Sequence, residues 1–142
     1  MTALEVEADR SAVIRLMAQY IQGLDALDEA LLARTFVKDA VAEYVGANFD
    51  MDVHLEGIEA ILAWIRENFG SREDAVPWHY VDTHVVEVEG DTATLRSYLH
   101  NRHMSSIGLY TVNARRTPQG WGIAKLHLEG RILDPELFAK WG

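Results

Sequence analysis

Two polar side chains, Asp25 and His79, fall where the pattern of apolar residues predicts the protein interior. Asp25 lies four residues after Ile21 and eleven after Ile14, so on a continuous helix it extends an apolar flank. His79 stands two residues before Val81 at the start of a strand-like run. A histidine held by a buried carboxylate is suited to general-base catalysis, because the carboxylate fixes its tautomer and stabilises the imidazolium. The pair therefore predicts proton abstraction by His79, with Asp25 as its partner.

Each of these residues also has a purely structural interpretation. If the first helix ended near Gly23, Asp25 would only cap or solvate the following turn. A single histidine in a strand is more often a core or edge residue with one satisfied hydrogen bond. The sequence leaves both alternatives open.

Further polar candidates lie on the second long strand predicted after position 77. Strand alternation places Leu99, Asn101 and His103 on the inward face, and Tyr98 and His100 on the opposite face. If the strand frays before residues 104–106, Asn101 and His103 would instead meet water. We predict no metal site, because His100 and His103 would point to opposite faces and the chain has no cysteine.

The elements that would position these residues follow from periodicity and turn signals. Helical spacing predicts helices over 5–27, 29–36 and 58–69, the second capped by Asp28 and the third closed by Gly70. A strand is predicted at 40–45, an extended piece near residue 54, a long hairpin over 76–104, strands at 109–116 and 120–128, and a helical turn over 134–138. Helices followed by consecutive antiparallel strands favour an α+β fold, with a curved antiparallel sheet wrapped around the N-terminal helices.

Composition bounds what this fold can do. The chain has 142 residues, 49% of them hydrophobic, which suits one domain over 1–142 with a single core. It carries 22 acidic against 13 basic side chains, a net charge of -9, which argues against nucleic acid as a partner. The longest apolar run has six residues, and the N-terminal residues do not resemble a signal peptide, so we expect a cytoplasmic protein without a membrane span. The acidic residues early in the first helix, Asp9 included, are predicted on its solvated face.

Three segments carry a family resemblance: VIRLMAQYIQGLDALDEALLARTFVKDAVAEY, PWHYVDTHVVEVEGDTATLRSYL and GLYTVNARRTPQGWGIAKL. They resemble the SnoaL-like branch of the nuclear transport factor 2-like (NTF2-like) superfamily over nearly the whole chain. The resemblance implies a cone-shaped α+β barrel with the NTF2-like or cystatin-like fold. It leaves the function open, because the superfamily includes dehydratases, isomerases, cyclases, hydrolases and members that only bind.

The resemblance also implies roles for individual residues. Asp25 and His79 resemble the dyad of scytalone dehydratase, bile acid 7α-dehydratase and hexachlorocyclohexane dehydrochlorinase. Tyr20 matches a position that is tyrosine in the bile acid enzyme and lysine in the dehydrochlorinase, and is expected to be catalytic by donating to the developing oxyanion or the departing hydroxyl. A second inward histidine would be His103 or, less favoured, His100. Substrate contacts are then expected from His103, Asn101, Tyr44 and Leu99. One departure is that the second long strand has no carboxylate to match that of the bile acid enzyme.

These observations predict a cofactor-independent lyase or isomerase, resembling a dehydratase, that acts on a small, apolar, ring-containing molecule bound in the cone. A polyketide-type cyclase remains an alternative, because it needs the same acid–base groups. A protein that binds a small ligand without chemistry is the other. Members of this superfamily often dimerise through the backs of their sheets. The resemblance therefore implies a homodimer or a higher homo-oligomer, with Arg96, Tyr98 and His100 on the outer face.

Overall fold

The fold is described by a computed structural model that covers residues 1–69 and 77–141. Within those residues the helices are α1 Ala3–Ala26, α2 Glu29–Thr35, α3 Ile58–Phe69 and α4 Pro135–Trp141. The strands there are β1 Phe36–Gly46, β2 Asp52–Glu56, β3 His79–Glu89, β4 Thr92–Asn101, β5 Ser106–Thr117 and β6 Gly120–Ile132. The arrangement confirms the predicted α+β fold, with helices ahead of a run of antiparallel strands.

The strands in the described part of the chain form one sheet in the order β2-β1-β6-β5-β4-β3. Strands β3 to β6 pair antiparallel with their sequence neighbours, as does β1 with β2. The pair β1–β6 is parallel, with Ala42 opposite Leu126 and Tyr44 opposite Leu128. The parallel pair arises because the chain leaves β1, builds β2, α3 and the β3–β5 meander, and returns on the other side of β1.

Helix α1 is capped at both ends, and the caps decide where Asp25 lies. The Thr2 side chain accepts a hydrogen bond from the backbone amide of Glu5 at 3.1 Å. At the other end Leu27 is left-handed (φ 52°), and its amide bonds back to the carbonyls of Gly23 and Leu24. Asp25 is therefore inside the last turn of α1, and the alternative in which the helix ends near Gly23 is wrong.

The core lies between the concave face of the sheet and one face of α1. Apolar residues at helical spacing predict a buried stripe on α1, and its members Val13, Leu16, Met17, Tyr20 and Leu24 are at most 4% exposed, while Leu27 is half-buried. Strand β4 alternates as predicted, with Ala93, Leu95, Ser97, Leu99 and Asn101 buried. Helix α1 packs chiefly against β3 and α3 against β1, so both helices lie over the sheet face that carries the candidate residues.

Strand β3 changes face part-way along. Thr83 has φ 58°, and the pairing with β4 shifts between Asp82 and Val85, so two β3 residues oppose one on β4. Before this bulge His79 and Val81 face inward, and after it His84 and Val86 do. Simple alternation from His79 would have placed His84 on the outer face.

Several element bounds differ from the predicted ones. Strands β5 and β6 extend to Ser106 and Ile132, which pair with each other beyond the Gly108–Gly130 pair. A side chain at position 108 would stand 2.8 Å from a Leu128 methyl group, so glycine at this position allows β5 and β6 to approach each other. The same glycine interrupts the alternation of apolar residues along β5. Strand β1 starts at Phe36, ahead of an irregular stretch before Val41.

The predicted helix stop at Gly70 and the predicted strand start at residue 76 lie outside the described residues. None of the helices that the structure describes combines the length and apolar character that a membrane crossing needs.

The predicted exposure of Asp9 is wrong. Asp9 is 9% exposed, and its carboxylate accepts hydrogen bonds from Arg116 Nη2 at 2.7 Å and from Trp121 Nε1 at 3.1 Å. The helix periodicity could not show this, because both donors come from the far end of the chain. They hold the pKa of Asp9 below its ordinary value.

Candidate active site

The structure brings Asp25 and His79 into direct contact. Asp25 Oδ1 lies 2.6 Å from His79 Nδ1, while Oδ2 accepts from the backbone amides of Trp78 at 2.8 Å and of His79 at 3.0 Å. An ionised carboxylate can only accept hydrogen bonds, so Nδ1 carries the proton in this contact. The ring nitrogen left to accept a proton from a ligand is therefore Nε2.

The environment keeps the Asp25 carboxylate charged. Burial by itself raises its pKa, but the hydrogen bonds from the His79 ring and the two backbone amides outweigh burial, so the pKa lies below its ordinary value. The side chains of His79 and Asp25 are only 14% and 11% exposed, so water screens their interaction weakly. A charged Asp25 beside Nδ1 stabilises the imidazolium that forms when Nε2 takes up a proton.

His79 lines a cavity of about 260 Å³. Most of its wall is aromatic or aliphatic, contributed by Tyr20, Leu24, Tyr44, Phe49, Met51, Trp64, Phe69, Leu99, Ile107, Tyr110, Leu128, Ile132 and Phe138. The polar side chains in the lining are few: the three tyrosines, His79, Asn68, Ser106 and Arg131. A mostly apolar cavity with a small number of convergent polar groups is the usual form of a small-molecule site.

Three buried tyrosines line this cavity. The hydroxyls of Tyr20 and Tyr44 are 2.8 Å apart, and the rings of Tyr20 and Tyr110 meet edge to face at 5.7 Å. Trp64 stacks on Tyr44 at 4.3 Å and so fixes the orientation of that ring. Burial raises the pKa of all three hydroxyls, which remain protonated donors at neutral pH.

Of the predicted substrate contacts, Tyr44 and Leu99 line the cavity together with Tyr20 and His79. Asn101 is buried, as the alternation predicts, but its side chain organises the turn after β4. Its Oδ1 accepts from the amides of Ser105 at 2.9 Å and Ser106 at 3.2 Å, and its Nδ2 donates to Ser105 Oγ at 2.6 Å. Asn101 therefore shapes the rim of the site and does not line the cavity.

The two other histidines considered from sequence lie away from this cavity. His103 sits in the turn after β4, with its ring 6.3 Å from that of Trp78, and is not among the lining residues. His100 stacks on Tyr80 at 5.2 Å on the outer face of the sheet. A substrate contact by His103 stays a prediction that this arrangement does not favour.

Two inward polar residues were missed from the sequence. Tyr110 lies within the strand predicted at 109–116 but was not singled out as a candidate, although its hydroxyl was the available signal. His84 Nδ1 lies 2.7 Å from Ser97 Oγ, so the bulge at Thr83 brings a second β3 histidine to the inner face. The described residues contain no group of three or more His, Asp or Glu that could hold a metal ion.

Comparison with known proteins places the chain in a family. The sequence pattern of the SnoaL-like domain matches residues 5–127, from the first turn of α1 into β6. The chain belongs to the SnoaL-like domain family. None of the curated proteins compared with this SnoaL-like domain matches it.

Solved structures share the fold of this SnoaL-like domain over most of its length. An NTF2-like protein with a cystatin-like fold from Novosphingobium aromaticivorans is 27% identical, with a TM-score of 0.67 over 96% of this chain and 90% of that one. Two more proteins from that organism carry putative names. The aromatic ring hydroxylase is 25% identical (TM-score 0.71, 95% and 94% covered) and the scytalone dehydratase 20% identical (TM-score 0.68, 89% and 87% covered). The two names denote different chemistries, so the shared fold does not identify the reaction.

Proposed function

We propose that this SnoaL-like domain is a cofactor-independent lyase or isomerase that removes a proton from carbon in a small, apolar, ring-containing substrate. The observation that carries the proposal is the 2.6 Å contact between Asp25 Oδ1 and His79 Nδ1 beside an aromatic cavity. A neutral imidazole held this way is a general base, and such assistance is typically worth about 10²–10⁴-fold in rate.

In the proposed elimination, His79 Nε2 takes the proton from a carbon next to a carbonyl group. The electrons of the C–H bond form a carbon–carbon double bond, and the bond to a hydroxyl on the neighbouring carbon breaks. His79 then returns its proton to the departing hydroxide, so that water leaves and the enzyme regains its starting state. Asp25 remains ionised throughout and balances the charge on the imidazolium.

The tyrosines would supply the hydrogen bond to the substrate carbonyl oxygen. The hydroxyls of Tyr20, Tyr44 and Tyr110 carry three protons, and the hydrogen bonds of Tyr20 with Tyr44 and with Tyr110 use two of them. The other proton is available to an oxygen in the cavity, where it would stabilise the negative charge that develops as His79 removes the proton. In an isomerase the same donor would serve, with the proton returned to another carbon.

The cavity supports a compact ring-containing substrate. Its volume of about 260 Å³ lies near the lower end of the range for small-molecule sites. Phe69 meets the His79 ring edge to face at 6.1 Å, so a flat apolar ring can pack close to the proposed base. Leu99 and Tyr44 would contact such a ring from the sheet.

A deuterium-exchange assay tests the proposal directly. The protein is incubated in deuterium oxide with a cyclic β-hydroxyketone and with its benzo-fused analogue, and exchange of the protons beside the carbonyl is followed by NMR. We expect exchange or elimination by the wild type and a loss of about 10²-fold or more in His79→Ala. Asp9→Asn, which changes the other buried carboxylate of α1, is the matched control and should retain the activity.

The same assay separates the alternatives. A product with a new carbon–carbon bond from a longer polyketone would favour the polyketide-type cyclase. Ligand binding without exchange, unchanged in His79→Ala and Asp25→Asn, would favour a binding protein and contradict the proposed reaction.

For the quaternary structure we propose a homodimer formed through the outer face of β3–β5. Tyr98 is 56% exposed there and lies close to the stacked rings of Tyr80 and His100. Together these rings form an exposed aromatic surface that is typical of a protein–protein interface. Sedimentation at micromolar concentration should give a dimer for the wild type and a monomer for Tyr98→Asp. A wild-type monomer would contradict this proposal.

A further inference from the structure

A second cleft, of about 840 Å³, lies apart from the cavity that His79 lines. It is bounded by the middle of α1, the junction of α2 with β1, the start of α3 and the β5–β6 turn. The two sites have no described lining residue in common. The cleft is therefore a separate feature, and its interpretation does not depend on the proposed reaction.

Cationic side chains collect around this cleft although the chain as a whole carries a net charge of -9. Arg15, Arg34, Lys38 and Arg115 line it, against Asp39 and Glu59. Arg115 Nη2 is paired with Asp39 Oδ1 at 2.7 Å. Arg15, Arg34 and Lys38 form no ion pair or hydrogen bond with any side chain in residues 1–69 and 77–141.

All three side chains are exposed, and none of them is paired with one of the chain's abundant acidic side chains in the described residues. Elsewhere on the same helices, Glu29 and Arg66 form a bidentate ion pair. Like charges that share a cleft repel one another, and an anion bound between them removes that cost. The arrangement is thus suited to a negatively charged ligand.

The floor of the cleft is apolar. Leu16, Phe36, Val37 and Leu62 line it, each less than a tenth exposed. Gly122 contributes to the same wall, and a side chain at that position would stand 2.9 Å from a Val37 methyl group. A ligand that fits both surfaces has an apolar body for the floor and one anionic end for the cations.

We propose that this cleft binds an amphipathic carboxylate, with its chain against Leu16, Phe36 and Leu62 and its carboxylate held by Arg15, Arg34 and Lys38. Guanidinium groups recognise carboxylates through two parallel hydrogen bonds, and Lys38 adds a third point of charge. At about 840 Å³ the cleft is large enough for a medium-length alkyl chain.

Titration with decanoate, below its micelle concentration, tests the proposal. In ¹⁵N NMR spectra we expect saturable shifts of the backbone amides of Trp121 and Gly122, two residues that line the cleft. Decanol, which has the same apolar chain without the charge, should bind there at least about tenfold more weakly. Added salt should weaken decanoate binding and leave decanol binding unchanged.

Charge-removal variants locate the site. Arg34→Gln with Lys38→Gln should weaken decanoate binding about tenfold or more, while Arg96→Gln, an exposed arginine on β4, should leave it unchanged. Asp25→Asn should also leave it unchanged, which separates this cleft from the cavity at His79. The proposal is overturned if decanoate and decanol shift the Trp121 and Gly122 signals equally. It is equally overturned if neither ligand shifts them, or if the double variant binds decanoate as the wild type does.

Discussion

Helix α1 carries two shielded carboxylates, one near each end, and their partners differ in kind. Asp9 accepts from the guanidinium of Arg116 and from the indole of Trp121, and Arg116 also lies over the Trp121 ring at 4.7 Å. Asp25 accepts from the His79 ring and from two backbone amides. Both carboxyl pKa values lie below the ordinary value, so both groups are charged at neutral pH.

The difference between the two sites is in what their partners can do with a proton. A guanidinium and an indole donate hydrogen bonds but do not exchange protons near neutral pH, whereas an imidazole does. The Asp9 site therefore ties α1 to β5 and β6 and has no route to acid–base chemistry. The Asp25 site has such a route, because His79 lines an aromatic cavity. A buried carboxylate alone does not identify an active site. The group that it contacts determines whether acid–base chemistry is possible there.

The largest expected effect comes from converting each carboxylate to an amide. In Asp25→Asn the amide can no longer stabilise an imidazolium, and it can present an N–H to His79 Nδ1 that favours the wrong tautomer. Turnover in the exchange assay should fall about 10²–10⁴-fold. Asp9→Asn should keep turnover within a factor of about two, and circular dichroism should show that both variants fold. Equal losses of activity in the two variants would contradict the distinction.

A smaller effect is expected from the tyrosine pair next to the dyad. Tyr44→Phe removes one hydroxyl of the 2.8 Å bond to Tyr20 and leaves the buried Tyr20 hydroxyl with one partner fewer. The free energy of unfolding should drop by about 1 kcal/mol, and turnover should fall by about 10-fold to 10²-fold. Denaturant titration measures the first and the exchange assay the second. A drop in stability without any loss of turnover would assign the pair a structural role only.

The same comparison shows what could be predicted from sequence. The helix stripe and the apolar flank that Asp25 extends are local patterns, so the approximate bounds of α1 and the inward position of Asp25 followed from spacing. The partners of Asp9 lie 107 and 112 residues away along the chain, and no local pattern reports such a contact. Periodicity therefore assigned Asp9 to the surface.

Strand alternation shows a second limit. It placed Leu99 and Asn101 inward on β4, where the pairing is regular. It did not predict the bulge in β3 at Thr83. A non-glycine residue in the left-handed region is an uncommon local conformation, stabilised here by its strand neighbours. His84 consequently faces inward, contrary to strict alternation along β3. The sequence predicted the second inward histidine at His103 instead.

A third prediction concerns stability at the Asp9 site. Asp9→Asn weakens the charge-assisted bond that joins α1 to Arg116 on β5, so we expect the melting temperature to fall by roughly 2–5 °C. Glu7→Gln is the control, because Glu7 lies on the same helix and is exposed. A melting temperature unchanged in Asp9→Asn would show that the contact contributes nothing measurable to the fold.

A third carboxylate with close histidine partners lies outside the cavity. Glu43, on the outer face of β1, lies 3.0 Å from His54 Nδ1, 3.0 Å from His127 Nδ1 and 3.4 Å from Lys125 Nζ. The hydrogen bonds from His127 and His54 lower its pKa to about 2. Glu43 does not line the cavity with His79, so a strongly depressed pKa does not by itself indicate a catalytic group.

The smallest effect is expected at this third site and appears only in the pH dependence. Because the pKa of Glu43 is lowered in the folded protein, its contribution to stability is complete above about pH 4.5 and is lost as the pH falls towards 2. The bonds to Glu56 and Glu43 raise the pKa of His54, whose contribution is present below its ordinary pKa of 6.5 and is lost as the pH rises through the folded value. The stability difference between wild type and Glu43→Gln should therefore be largest at about pH 5–6 and shrink on both sides, as measured by denaturant titration. Turnover should be unchanged in Glu43→Gln. A loss of turnover would mean that the outer face of β1 takes part in the reaction. It would contradict the assignment of catalysis to Asp25 and not to Asp9 or Glu43.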